Sequence, residues 1–395
     1  MTSKKNKSGK TVSLLGFGAM RIPVKAGGKE YDQEKFNGYI KRLLDGGVTY
    51  FDTAPVYNQG NSERILGTAL AASGYPRDSY LIATKKSTRH RQPQPLDEAK
   101  KMFADSLAFL RTDYIDNYLL HSVGGGEGLK TFRERYLDNG VLDYLMERRE
   151  AGAIRQLGFS FHGSRRVFDW LLEQQDKYRW DFVQIKLSYL DWVKGEEKSL
   201  YEALTAKKIP VVVMAPLKGG LLAQPNWALA HELKRLDREA SFAKWAFRFF
   251  GDLDNVATVL SGIETLEQID ENIKTFSPLK PLSPEERDAL FRAVAAMDRQ
   301  NLIHCDACDY CMPCPYGVAI PDILGFRNRI LAADRMPTVR ETLRRYAEAV
   351  PDPLRRAERC TGCGKCMAKC PQALDIPALL SGIDEWIEEL KNEDC

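Results

Sequence analysis

Thr49-Tyr50-Phe51-Asp52-Thr53-Ala54 is a short apolar run that ends on an acid. Helix-like amphipathic stretches flank it, Asp32–Asp45 before and Ser62–Ala72 after. A run too short for a helix, set between helical periodicities, reads as a buried strand. Working outward, the same unit recurs from Val12 to about Thr275. The strand-like runs are Leu14–Arg21, Thr49–Ala54, Tyr80–Lys85, Tyr114–His121, Arg155–Ser160, Phe182–Ser188, Val211–Pro216 and Val256–Gly262. Further helices between them are Asp97–Leu110, Val141–Ala151 and Ser164–Gln174, the last with Ser164 as its N-cap. Eight strand-then-helix units predict an α/β chain built on a closed (β/α)8 TIM barrel. An open doubly wound sheet is the competing architecture, but no GxGxxG opens a helix.

Such a barrel takes about 250 residues, and the chain has 395. The remainder predicts one small further domain. Pro278, Pro281 and Pro284 mark the boundary, and Ser283-Pro284-Glu285-Glu286 then opens a new helix: a Ser cap, Pro at the first position and Glu three residues after the cap. The expected division is 1–282 for the barrel and 283–395 for the second domain. Hydrophobic residues make up 44% and charged residues 28%, ordinary values for a globular chain. A net charge of +3 is too small to point to nucleic acid or a membrane surface as partner. No apolar run approaches the length of a membrane-spanning helix. Met1–Thr11 carries Lys4, Lys5, Lys7 and Lys10 with no apolar stretch behind them, so no secretory signal is expected and the expected location is cytoplasmic.

All nine cysteines lie at or beyond Cys305. In a cytosolic chain such a cluster reads as a metal site rather than a disulfide scaffold. The first motif is Cys305-x2-Cys308-x2-Cys311-x2-Cys314-Pro315, the second Cys360-x2-Cys363-x2-Cys366-x3-Cys370-Pro371. The second matches the bacterial two-cluster run C-x2-C-x2-C-x3-C-P in full, and the first is one residue short before its last Cys. In that run three cysteines wrap one [4Fe-4S] cube and the fourth, before Pro, reaches the other. This assigns Cys305, Cys308, Cys311 and Cys370 to one cluster, and Cys360, Cys363, Cys366 and Cys314 to the other. A pair of zinc ions, each held by four cysteines, is the competing reading, but zinc sites place a longer loop between CxxC pairs. Cys314–Leu324 aligns without gaps to Cys370–Leu380 with five of eleven positions identical, which suggests two related halves. Between them, Tyr316–Arg359 holds nine Arg against six acids, read as a solvated face, with a docking surface for a redox partner as the alternative. Cys395 reads as a free terminal thiol.

In a barrel, chemistry sits at the C-terminal strand ends. Asp52 ends the second strand with Tyr57 five residues on, Lys85 ends the third and His121 the fourth. A buried Lys and a buried Asp each need a partner, and adjacent strands can supply one. A free phenol, with a pKa of about 10, exchanges its proton poorly near neutrality. A neighbouring ammonium stabilises the phenolate, so Tyr57 can serve as a general acid toward a carbonyl oxygen. Lys85 would tune it, Asp52 would hold Lys85, and His121 would orient the carbonyl. Taken singly, each residue has an ordinary packing role; four on three neighbouring strand ends make that reading weak.

Tyr50-Phe-Asp52-Thr-Ala-Pro-Val-Tyr57, Asn61-Ser-Glu63-Arg-Ile-Leu-Gly67, Ala83-Thr-Lys85 and Leu110-Arg-Thr-Asp113-Tyr-Ile-Asp-Asn-Tyr-Leu-Leu-His121 resemble the signatures of the aldo-keto reductases. Gly152–Ser160, Ala215-Pro216-Leu-Lys-Gly-Gly220 and Ser261–Asn272 continue the resemblance. It implies reduction of aldehydes or ketones with NADPH or NADH, and a catalytic tetrad of Asp52, Tyr57, Lys85 and His121. Ser160 and Gln184 would hold the nicotinamide carboxamide. Pro216, Leu217, Lys218, Gly219, Ser261, Gly262, Gln268 and Asn272 would line the dinucleotide phosphates and adenosine. Three positions depart from the family pattern. Gly262 and Gln268 stand where many members carry a basic pair for the 2′-phosphate of NADPH, with Lys218 able to supply one charge. Met214 stands where an aromatic stacks on the nicotinamide, and Ser160-Phe161-His162 replaces the common Ser-Asn.

The cysteine region resembles two-[4Fe-4S] ferredoxin domains, and the whole chain resembles a branch of the aldo-keto reductases with a C-terminal iron–sulfur domain. The expected function is a carbonyl reductase acting on a small carbonyl substrate, with two clusters for structure or for a one-electron redox partner protein. The alternative is an iron–sulfur electron-transfer or redox-sensing protein whose barrel uses a flavin or another acceptor.

Overall fold

The computed structural model describes residues 1–395 except 7–8, 27–29, 88–92, 125–127, 225–226, 297–302, 304, 332, 334–336, 371 and 394–395. Pro371 and Cys395 therefore lie outside the described residues.

Eight parallel strands close into a barrel: Leu15–Gly18, Tyr50–Asp52, Leu81–Lys86, Ile115–Val123, Ile154–Phe161, Phe182–Lys186, Val211–Met214 and Val256–Ser261. Each pairs with the next in sequence, and the eighth closes on the first through Ser261 opposite Phe17. The strand runs are near-continuously buried, as parallel strands covered by helices require. Val12, Tyr50, Leu81, Ala83, Leu119, Phe182, Val212 and Leu260 fill the interior, with Met214 packed against them. Helices Gln33–Asp45, Ser62–Ala72, Leu96–Leu110, Val141–Glu150 and Arg165–Glu173 follow successive strands.

Local chemistry explains several ends. Asp32 caps the first of these helices by accepting the Lys35 N–H. Ser164 does sit at the N-cap of Arg165–Glu173, but its side chain makes no capping hydrogen bond. Two features go beyond the sequence pattern. Ser3–Lys5 and Thr11–Ser13 form an antiparallel hairpin before the barrel. The first strand stops at Gly18 rather than Arg21; the Ala19 N–H still donates to Asp52 O on the second strand at 2.8 Å.

The chain divides into two compact units, Met1–Pro216 with Phe247–Leu282, and Leu217–Ala246 with Ser283–Cys395. This differs from a simple division at 282/283, because the segment after the seventh strand goes with the cysteine unit. There, helix Trp227–Leu236 packs on Pro284–Ala296, with Leu229, Leu233, Leu290 and Val294 fully buried. Pro284–Ala296 opens on the expected capping box: Glu286 N–H donates to Ser283 Oγ at 3.2 Å and Ser283 N–H to Glu286 Oε2 at 2.8 Å. The rest of the unit is helical: Ile320–Leu331, Val339–Ala349 and Ile376–Glu393 surround a core of Ile323, Phe326, Ile330, Leu380 and Ile387. Among the described residues no helix is long and apolar enough to cross a membrane.

Candidate active site and cluster ligands

Barrel register decides which ionisable residues meet. Asp52 ends the second strand opposite Gly18 and Ala83, and Lys85 lies on the third opposite Leu119. Lys85 Nζ donates to Asp52 Oδ1 at 2.6 Å and to Thr53 O at 2.7 Å. Both side chains are buried. Burial raises the Asp52 carboxyl and lowers the Lys85 ammonium from their ordinary values, and each charge opposes the other's shift. Asp52 Oδ2 is buried without a hydrogen-bond partner.

Tyr57 opens the turn Tyr57–Gly60 after the second strand. Its ring centroid lies 5.0 Å from Lys85 Nζ and 5.7 Å from that of His121, with the two rings at 78°. The structure therefore brings Asp52, Tyr57, Lys85 and His121 together. His121 Nδ1 is 2.5 Å from Ser87 Oγ. Arg135 Nη2 and Tyr136 OH both donate to the His121 carbonyl at 3.1 Å, which fixes the main chain behind the ring.

Three supporting residues carry no signal of a role in the sequence: Ser87, Arg135 and Tyr136. Glu63 follows Asn61-Ser62 in a motif already singled out, and only its burial shows its importance. Its Oε1 accepts from Thr84 Oγ1 at 2.6 Å, and burial pushes its carboxyl up to about 7, opposed in part by Lys85. Lys86, one residue past Lys85, is also buried; its Nζ donates to Gln94 Oε1 at 2.5 Å, and burial lowers it to about 8.

The residues expected to hold a dinucleotide fall into two groups. Ser160 and Gln184 are buried and directly opposite in register. Ser160 Oγ accepts the Ser122 N–H at 2.8 Å, and Gln184 Oε1 is buried without a partner. That orphaned acceptor, aided by Ser160, fits an amide group such as the nicotinamide carboxamide. Gln184 Nε2 lies 3.4 Å from Met214 Sδ, so the thioether occupies the end of the seventh strand. At the eighth strand, Asn272 Nδ2 donates to Ser261 Oγ at 3.1 Å. Gln268 Oε1 accepts the Glu264 N–H at 2.8 Å, so that side chain shapes its own loop. Gly262 has Arg21 beside it, a cation that no sequence pattern points to; Arg21 is paired with Glu264 at 2.9 Å.

Pro216 ends the barrel segment, while Leu217, Lys218 and Gly219 belong to the cysteine unit. Lys218 Nζ is 3.4 Å from Asp306 Oδ1, with both side chains buried. Gly219 has φ +66, and a Cβ there would meet the Asp306 carbonyl at 2.6 Å, so no larger residue fits.

Within the cysteine unit, Cys370 is close enough to Cys305, Cys308 and Cys311 to act on each electrostatically. Cys314, Cys360, Cys363 and Cys366 line one cavity, which Cys311 also reaches. Among the described residues no three thiol sulfurs lie within 4.8 Å of one another. A tetrahedral zinc holding thiolates at ~2.3 Å brings them to roughly 3.8 Å. The two groups differ in access: Cys370 is buried and Cys363 exposed.

A parallel eight-stranded barrel with buried ionisable groups at its strand ends, joined to a unit holding two groups of four cysteines, defines a redox enzyme class. Residues 14–293 match the Aldo/keto reductase family, and residues 304–374 match a 4Fe-4S dicluster domain. The chain belongs to the aldo/keto reductase family and carries a C-terminal 4Fe-4S dicluster domain. It is 25% identical to L-galactose dehydrogenase of Arabidopsis thaliana over 71% of this chain and 89% of that protein. An aldo-keto reductase of Mycobacterium avium is 26% identical over 70% of this chain and 84% of its own length. Among solved structures, aldo-keto reductase AKR11C1 of Bacillus halodurans superposes with a TM-score of 0.60 at 26% identity, covering 74% of this chain and 96% of that one.

Proposed function

We propose that this oxidoreductase reduces a small aldehyde or ketone with a nicotinamide dinucleotide, with Tyr57 as the proton donor. The observation that carries the reading is the Tyr57 ring set against both the Lys85 ammonium and the His121 ring, with Lys85 tied to Asp52 at 2.6 Å. Bound nicotinamide supplies hydride to the carbonyl carbon; Gln184 and Ser160 hold its carboxamide. As negative charge grows on the carbonyl oxygen, the phenol of Tyr57 gives up its proton. Lys85 stabilises the phenolate left behind, and Asp52 keeps Lys85 in place. His121, held through Ser87 and through its own carbonyl, orients the substrate oxygen.

Arg21, beside Gly262, is paired with Glu264, and Lys218 with Asp306. A 2′-phosphate prefers a charged, bidentate partner. The reading therefore takes NADH in preference to NADPH. Two clusters would be held, one by Cys305, Cys308, Cys311 and Cys370 and the other by Cys360, Cys363, Cys366 and Cys314, and would supply one-electron transfer.

Tyr57→Phe tests the proposal. Carbonyl reduction should fall by about 10²–10⁴-fold while nucleotide affinity, measured by fluorescence titration, stays unchanged. Full activity in that variant rules out the proton-donor role.

A further inference from the structure

The second cysteine group lies beneath an unusual piece of surface. Three of the exposed large apolar side chains among the described residues belong to the cysteine unit: Leu354 at 66%, Tyr316 at 47% and Met367 at 41%. Each is linked to this group of thiols or to residues next to it in sequence. Tyr316 lines the same cavity as Cys314, Cys360, Cys363 and Cys366. Leu354 is next to Gly317, whose Cβ position lies 3.8 Å from the Leu354 carbonyl, and Ala319 N–H donates to Arg355 O at 2.8 Å. Met367 Sδ lies 3.9 Å from the Cβ position of Gly364, between two ligand cysteines. Isolated exposed apolar residues are ordinary, but a contiguous group with a polar rim marks an interaction site.

The rim is positive. From Asp352 to Cys370 there are five cations, Arg355, Arg356, Arg359, Lys365 and Lys369, against Asp352 and Glu358. Lys365 and Lys369 line the cavity beside the thiols. Glu358 is grouped with Asp384 and Glu388. The exposed Cys363 lies within this patch, whereas Cys305 and Cys308 are partly buried. Electron exchange with another protein needs a redox centre near the surface, a small apolar contact and charge that orients the encounter.

We propose that the apolar patch of Tyr316, Leu354 and Met367, rimmed by Arg355, Arg359, Lys365 and Lys369, is the docking face for a small acidic one-electron carrier protein. This rests on the reading of the cysteines as iron–sulfur ligands. One electron leaves the reduced carrier and reduces the second cluster from the 2+ to the 1+ state. With a flavodoxin hydroquinone as the carrier, the anionic hydroquinone becomes the neutral semiquinone on loss of that electron, and no proton is released.

The test mixes the anaerobically purified full chain with acidic flavodoxin hydroquinone and follows semiquinone formation. Iron content and dithionite-reducible cluster signals are measured in parallel; a chain without either overturns the cluster reading itself and the docking proposal with it. With clusters present, the second-order rate should fall as salt rises. The triple variant R359E/K365E/K369E should be slower by about tenfold or more at low salt and lose that salt dependence. Arg355→Glu with Leu354→Ser, outside the run of ligand cysteines, should also slow transfer at unchanged iron content. An unchanged rate in both variants, a rate that rises with salt, or equal exchange with a cationic carrier of similar potential overturns the proposal.

Discussion

The barrel site and the cysteine site are both assemblies of ionisable groups, but they are held in opposite ways. Asp52, Lys85, Tyr57 and His121 are positioned by one another and by buried neighbours on adjacent strands. The cysteine sulfurs are bridged by nothing in the polypeptide: no disulfide links the eight described, and no three approach one another closely. Yet Cys305, Cys311, Cys314, Cys360 and Cys366 pack directly against the apolar core of their unit. One site is completed by folding. For the other, cofactor binding is expected to contribute to folding, as general metal-site behaviour would have it.

The largest expected effect follows from that contrast. Anaerobic removal of iron with a chelator should destabilise the cysteine unit on the scale of ~10 kcal/mol, as for structural metal sites. In calorimetry the transition of that unit should vanish while the barrel's remains. Survival of both transitions breaks the comparison.

Next in size is the buried ion pair. Lys85→Met leaves Asp52 buried with neither oxygen properly partnered, at a cost of about 3–5 kcal/mol in denaturant unfolding. Adding Asp52→Asn should recover part of that loss; a double variant no more stable than Lys85→Met would show that the two residues do not act as a pair.

A smaller effect concerns Glu63. Its folded-state carboxyl, at about 7, lies above the ordinary 4.5. Its contribution to stability is therefore fully present below pH 4.5 and is lost as pH rises through about 7, by roughly 3 kcal/mol at most. Glu63→Gln should flatten that part of the stability–pH curve; an unaltered slope removes the assignment.

Smallest is Thr338→Ala, which breaks the capping box with Glu341 at the start of Val339–Ala349 and should cost about 1 kcal/mol. The cost should appear only in the iron-loaded protein, where this helix has a folded unit to belong to.

What can be read from sequence follows the range of the interactions involved. The eight strands are legible because each is a local apolar run, and helix Ser62–Ala72 has the same bounds in the sequence pattern and in the structure. The tetrad is legible because strand order alone brings consecutive strand ends together. Ser87 as the partner of His121 is not, since a serine after a strand has many ordinary uses. The hairpin of Ser3–Lys5 with Thr11–Ser13 escapes a search for apolar runs because its strands are short and polar. Nothing in Leu217–Ala246 announces membership of the cysteine unit. The salt bridge of Lys218 with Asp306 and the burial of Leu229 and Leu233 depend on residues far along the chain.

That excursion bears on how the protein can be cut. The polypeptide passes between its two units three times, at 216/217, 246/247 and 282/283. The cysteine unit is therefore not one continuous C-terminal segment; it takes in Leu217–Ala246 as well as Ser283–Cys395. Truncation after Leu282 would strip Pro284–Ala296 from Leu229 and Leu233 and leave a greasy, unpaired helix behind.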